Sequence, residues 1–304
     1  TYFFILSLPL CLLAQIEESN ETFEFSPPLL DGGEVNIDGF LDEKAWNNSL
    51  SLSNFTSYLP VDGRPAIDNT NIRIWYSKKS LFIAIIADEI HGEVRSTLAD
   101  RDNLENDDYI ILFLDTYDDQ RSAFAFAVNP LGQQADGTIT DKSSSRNSTL
   151  TFNLDDNPDY VFTSKGRLTD KGYLVEIEIP FKSLRYKKSD VQNWGFNVLR
   201  RVQHSGYRST LFNVKLDVAS FLAQSGKLTN ISGIERENIF EINPEIRSSL
   251  QRGPSTDKYI ASSNDLLGVN LRYGLSSNIT LNGTINPDFS QIEADVAQIN
   301  YDPR

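Results

Sequence analysis

A chain of 304 residues with a net charge of -14 has room for two domains and a sizeable core, and it lacks the clustered cations that a grip on nucleic acid needs. Arg200-Arg201 and Lys187-Lys188 are isolated pairs that read as solvated strand ends. The one cysteine, Cys11, lies in the first apolar run, so the remainder can form no intramolecular disulfide and must be held by packing.

Residues 1–14, TYFFILSLPLCLLA, are too short for a membrane-spanning helix, which takes about 20 apolar residues, and read as the core of a signal peptide with Ala14 before the cut. A lipid-modified Cys11 and a buried N-terminal strand are the alternatives. With no methionine anywhere, the chain is expected to begin inside a longer reading frame. Residues 15–28 are polar, end in Pro27-Pro28, and read as a linker.

From Leu29 to Ser232 short β-rich runs alternate with Gly, Asn, Asp, Ser and Pro, the pattern of an all-β antiparallel sandwich or barrel. The expected strands are Asn71–Tyr76, Leu81–Asp88, Tyr109–Asp115, Ala123–Asn129, Tyr173–Ile179, Gly195–Val202 and Ser209–Val214, with Ser77–Ser80 turning the first pair into a hairpin. Both faces of Leu81–Ala87 are apolar, which places that strand centrally with cover on both sides. Short helical turns are expected at Asp42–Trp46 and at Phe181–Leu184 after Pro180.

Residues 238–304 change character. Phe240–Gln251, Asp265–Tyr273 and Asn278–Asn286 alternate strictly, with Ile242, Leu271 and Ile279 on one parity and Asn243, Asn270 and Thr280 on the other. Such segments joined by a short turn at Gly274–Ser277 predict the first strands of a membrane β-barrel, although a soluble sheet with one buried face gives the same parity. Three strands cannot close, so a barrel is expected to continue past Arg304.

The run Ile37-Asp38-Gly39-Phe40-Leu41-Asp42-Glu43-Lys44-Ala45-Trp46 resembles the opening I-D-G-x-L-D-E-x-x-W of family 9 carbohydrate-binding modules, which are DOMON-like β-sandwiches. The likeness continues through Ile72–Asp88, Asn106–Asp115, Val175–Pro180 and Trp194–Asn197, covering residues 29–232. Asn286–Asp295 is similar to the start of a Bacteroidetes-type outer-membrane barrel domain of unknown function (DUF5916-like), in whose proteins a family 9-like module comes first. The resemblance implies outer-membrane localisation, a glycan partner, a lipid partner through the barrel, and a part in polysaccharide catabolism. It leaves open which side of the membrane the module faces.

Sugar sites combine aromatic faces with carboxylates or amides. The family's first clamping Trp corresponds to Leu104, its second falls near Phe212, its sugar-binding Arg is Ala127, and Asn129 matches. That departure leaves Trp75, Glu105, Asn129 and Phe212 as carbohydrate-binding candidates. Trp75 lies on the strand face opposite Ile72 and Ile74 and reads either as a stacking surface or as core; Trp46 and Trp194 read as core. Among the acidic clusters, the resemblance implies structural Ca²⁺ at Asp102, Asp107 and Asp108, against the reading of a solvated loop; no other cofactor is indicated.

No carboxylate pair stands out for glycoside hydrolysis, and His91 and His204 belong to no triad, elbow or zinc pattern. The expected function is glycan binding on an outer-membrane barrel protein. The alternatives are a membrane-associated hydrolase of O-glycosyl compounds whose catalytic groups lie outside this chain, and a plug or cap that binds no sugar.

Overall fold

The computed structural model describes residues 23–31, 33, 35–90, 94–98, 100–140, 158–235, 240–246, 249–252, 259–262, 267–276 and 279–286. The expected leader over residues 1–14 lies outside them, as do residues 15–22 of the expected linker and the motif beyond Asn286.

Two sheets make the first unit. Its strands are β1 (Glu24–Phe25), β2 (Leu50–Leu52), β3 (Thr56–Leu59), β4 (Thr70–Tyr76), β5 (Ser80–Asp88), β6 (Tyr109–Asp115), β7 (Ser122–Val128), β8 (Gln134–Thr140), β9 (Thr163–Thr169), β10 (Gly172–Pro180), β11 (Val191–Arg201), β12 (Arg208–Thr210) and β13 (Gly226–Ser232). One sheet runs β1-β13-β11-β6-β7-β8, with β12 and β3 branching from β11; the other runs β2-β4-β5-β10-β9. Among the described residues the strands pair antiparallel except β1 on β13, which is parallel, as is the single bridge Leu29↔Tyr76.

Alternation decides what each face meets. Ile72, Ile74, Ile83, Ile85, Val175 and Ile177 face Ile110, Leu112, Phe126, Phe196 and Val198 across the main core. The other parity of the smaller sheet, Trp75, Phe82 and Ala84, is covered by Leu30, Val35, Ile37, Leu41 and the buried Trp46 of helix α1 (Lys44–Asn47). β5 is thus central and covered on both sides, as its unbroken apolar run predicts. At the β4–β5 turn, Ser77 Oγ accepts from the backbone N–H of Lys79 and of Ser80, each at 3.1 Å, so the hydroxyl replaces the backbone partners a tight turn leaves out.

Order starts before the expected boundary at Leu29. β1 pairs with β13, Phe25 packs on the main core, and Pro28 O accepts from Tyr76 N, so this segment straps the two sheets together. Arg200 ties them at one end: from β11 its Nη1 donates to Asn69 O at 3.1 Å and Thr70 Oγ1 at 2.9 Å, and its Nη2 to Asp88 O at 2.5 Å.

The second unit contains β14 (Phe240–Ile246), β15 (Ser249–Arg252), β16 (Tyr259–Ser262), β17 (Leu267–Ser276) and β18 (Ile279–Ile285). β14-β17-β18 form one antiparallel sheet and β15-β16 a two-stranded one. Register aligns the parity across strands: Ile242, Leu271 and Gly283 share one row, Pro244, Val269 and Ile285 the next, and Asn243, Asn270 and Thr284 alternate with them. The apolar rows are open, with Ile242 53% and Ile285 62% exposed. The expected strand Phe240–Gln251 contributes to two described strands in different sheets, β14 and β15, and β16, which sequence alternation did not reveal, pairs with β15. No helix among the described residues is long and apolar enough to cross a membrane, which says nothing of strands.

Candidate functional site

The four predicted sugar-binding residues do not converge. Trp75 is fully buried, stacked on Phe82 with ring centroids 4.0 Å apart and met edge-on by Trp46, so it is core and offers no open face. Asn129 is likewise enclosed and spends its amide locally. Its Nδ2 donates to Asp107 Oδ2 at 2.7 Å and Thr97 O at 2.8 Å, and its Oδ1 accepts from Leu131 N and Gln133 N. Phe212 turns into the main core between Phe23 and Phe25, its ring lying over Gly226, where a Cβ would fall 2.4 Å from Phe212 Cζ. Glu105 alone of the four is exposed, and its carbonyl accepts from Arg201.

The positions that the resemblance matches to the first clamping Trp and to the sugar-binding Arg share another surface, while Phe212, matched to the second Trp, lies in the main core. Leu104 and Ala127 lie on the outer face of the larger sheet with Tyr109, Ile111 and Phe113, covered by Val214, Phe221 and Leu222. Phe221 meets Phe113 at 5.1 Å and Tyr58 at 6.0 Å, both edge-on. The chain's own loop therefore fills the face that an aromatic clamp would need to leave open.

The predicted calcium set does not fit its ion. Asp102 is exposed and accepts from Asp136 N; Asp107 is buried and accepts from Thr97 N, Thr97 Oγ1 and Asn129. Asp108 is buried toward Gln203 N, with its carboxyl held above the usual range chiefly by burial. Ca²⁺ takes six to eight oxygens, and among the described residues no three Asp, Glu, His or Cys side chains converge to supply them. Asp107 and Asp108 act structurally, the latter near Arg200, which also lies 3.5 Å from Glu89 Oε2.

The opening motif has a mechanical explanation, and its key residue escaped sequence reasoning. Glu176 of β10 is fully buried; its Oε2 accepts from Asp38 N at 3.1 Å and Gly39 N at 2.7 Å, and its Oε1 accepts from Trp46 Nε1 at 3.0 Å. Gly39 sits at φ +89, where a side chain would be strained, and its carbonyl accepts from Arg167 Nε. The Arg167 guanidinium lies 4.2 Å from the Phe40 ring centroid. One carboxylate thus clamps the segment that covers the outer face of the smaller sheet. The signal was a pair of glutamates, Glu176 and Glu178, on the outward parity of the otherwise apolar strand Tyr173–Ile179, with Glu176 in its middle. Burial pushes its carboxyl up to about 7 against those three donors, which favour the charged form.

Beside this clamp runs a groove of roughly 700 Å³. Leu29, Leu30 and Val35 line it, with Trp75 and Phe82 buried beneath them, and Lys78, Lys182, Glu178 and Glu235 contribute polar groups. Glu178 Oε1 accepts from Ser80 Oγ at 2.7 Å, and Lys78 lies 3.8 Å from Glu235. Apolar lining with donors and acceptors around it is the chemistry that a pyranose presents in mirror image: a C–H face and a ring of hydroxyls.

The family model described as a domain of unknown function (DUF5916) matches residues 248–304. Among solved structures, the chain is similar to a candidate carbohydrate-binding protein from Bacteroides uniformis ATCC 8492 at 11% identity and a TM-score of 0.50, covering 68% of this chain and 99% of that one. That likeness shows the fold. It is also similar to a family 9 carbohydrate-binding module from Caldicellulosiruptor kristjanssonii, in complex with cellotriose (16% identity, TM-score 0.48, 68% and 92% covered) and with glucose (15%, 0.49, 71% and 98%). No curated protein matches the chain.

Proposed function

We propose that residues 29–232 form a glycan-binding module carried by an outer-membrane barrel whose first strands lie in residues 238–304, on a chain exported by its N-terminal leader. The groove along the N-terminal strap carries the binding half of this reading, because it joins apolar lining to side chains that can serve sugar hydroxyls. A sandwich of the same fold as a candidate carbohydrate-binding protein supports it. The aligned, open apolar rows of β14, β17 and β18 support the membrane half, as does the match over residues 248–304.

The test is calorimetric titration of the purified chain with glucose, cellotriose and a panel of other neutral oligosaccharides. Saturable binding is expected, weakened at least fivefold by Lys182→Ala or Glu178→Gln with unfolding unchanged. A flat titration across the panel removes the glycan.

One observation favours a second reading, that of a cap without a ligand: Trp75, Asn129 and Phe212 are all enclosed. In that case neither groove substitution alters binding of anything, while deletion of the sandwich changes assembly of the barrel.

A further inference from the structure

Resting on the barrel reading above, we infer that the sandwich hangs on the periplasmic side of the outer membrane. The observation is an asymmetry between the two ends of the β14-β17-β18 sheet. At one end β14 begins, and β17 passes into β18 with only residues 277–278 between the paired Ser276 and Ile279. At the other end the chain runs on past the paired Ile246 and Leu267 through residues 247–266, pairing again as β15 and β16 from Ser249↔Ser262 to Arg252↔Tyr259. Outer-membrane barrels keep short turns on the periplasmic side and long excursions outside. The end at which β14 begins is then periplasmic, and the β15–β16 hairpin extends outward.

The tether puts the sandwich at that same end. Glu235 is still fastened to the first unit, its N–H donating to Lys78 O at 2.8 Å, and β14 starts at Phe240. Five Cα steps reach at most about 18 Å. The apolar band of such a barrel is about 25 Å tall, so the link cannot carry the sandwich across. Glu235 also lines the groove, which keeps the groove within that tether length of the barrel's inner end. The saccharides it meets are accordingly oligosaccharides small enough to have crossed the membrane, rather than polymers held at the cell surface.

The experiment uses the full-length protein in its membrane. In a Cys11→Ala background, single Ser255→Cys, Ser277→Cys and Val218→Cys variants are treated with a membrane-impermeant 5 kDa maleimide on intact cells and again after the outer membrane is permeabilised. In sequence Ser255 lies between β15 and β16 and Ser277 between β17 and β18, and Val218 is an exposed sandwich residue. Ser255→Cys is expected to label on intact cells. The other two should label at least tenfold less until permeabilisation. Val218→Cys reacting on intact cells as fast as Ser255→Cys, or Ser255→Cys reacting only after permeabilisation, overturns the inference. Recovery of the protein from the cell without detergent is a different failure, that of the barrel itself, and fractionation reads it before any thiol is labelled.

Discussion

The indole Nε1 of Trp46 donates to Glu176 Oε1 at 3.0 Å, joining residues 130 apart in sequence. Because Asp38 N and Gly39 N use the other oxygen, Glu176→Ala strands three donors under the strap. Each buried unsatisfied group costs about 1–3 kcal/mol, so the variant should lose about 3 kcal/mol or more. Glu176→Gln, which keeps one acceptor oxygen, should lose less. All three tryptophans lie in the sandwich, so their emission during urea unfolding reports on that unit alone. A Glu176→Ala midpoint equal to wild type would show that the strap is held by its apolar contacts instead.

The same carboxyl sets a pH dependence. Burial raises it from 4.5 to about 7, above its unfolded value. Its contribution is therefore full below about pH 4.5 and is lost as pH rises through 7. Lowering pH from 8 to 5 should stabilise the sandwich through this group by something on the order of 1–3 kcal/mol. Asp108, Asp115 and Asp136 are also raised, chiefly by burial, and push in the same direction. Glu176→Gln should flatten the slope between pH 5.5 and 8; an unchanged slope assigns it to other groups.

How far the sequence could be read follows from what burial leaves visible. β4, β5, β6, β7, β10 and β11 carry apolar runs and were legible as strands. Thr163–Thr169 and Gln134–Thr140 did not read as strands because each reads TSKGRLT or QADGTIT, with no apolar period. They pair at sheet edges, where one neighbour and a partly exposed face ask little of composition. The opening motif was recognisable while its anchor was not, since Glu176 reaches it only through β10 and long-range packing. The binding candidates failed for a related reason: Asn129 and Asp107 look like ligands by type, yet their polar atoms serve each other. Type and order in a sequence do not say which side of a sheet a loop such as that around Phe221 will cover.

Arg200 should be the least replaceable cation. Arg200→Met removes the link from β11 to Thr70 and Asp88 and leaves Glu89 and Asp108 buried without it. Breaking a buried pair from one side costs about 3–5 kcal/mol, and urea unfolding should show a loss of that size. Arg200→Lys cannot reproduce the planar fork that serves Nη1 and Nη2 partners together and should fall between. Equal stability of Arg200→Lys and wild type would mean that charge alone suffices.

Restoring the aromatic that the family resemblance leads one to expect should not create a sugar site. Leu104→Trp adds bulk under Val214, Phe221 and Leu222, where the face is already filled. Overpacking of this kind costs about 1–3 kcal/mol. The variant should unfold at lower urea and bind glucose no better than wild type in the same calorimeter. Enhanced binding would show that the loop over Phe113 lifts away readily.

The membrane reading depends on one parity, and adjacent residues separate it from the soluble alternative. Ile285 continues the row of Pro244 and Val269, whereas Thr284 continues that of Asn243 and Asn270. If the first row faces lipid, Ile285→Arg places a charge against hydrocarbon, at a cost of about 2–4 kcal/mol near the midplane, while Thr284→Arg points into a hydrated interior and costs little. In full-length protein, Ile285→Arg should reduce the heat-modifiable folded band recovered from outer membranes severalfold, and Thr284→Arg should leave it near wild type. A sheet whose apolar face packs on protein would also reject arginine at Ile285, but its folded protein would be recovered without detergent. Equal tolerance at both positions would mean that neither row is covered by anything, and the alternation would then carry no information about a membrane.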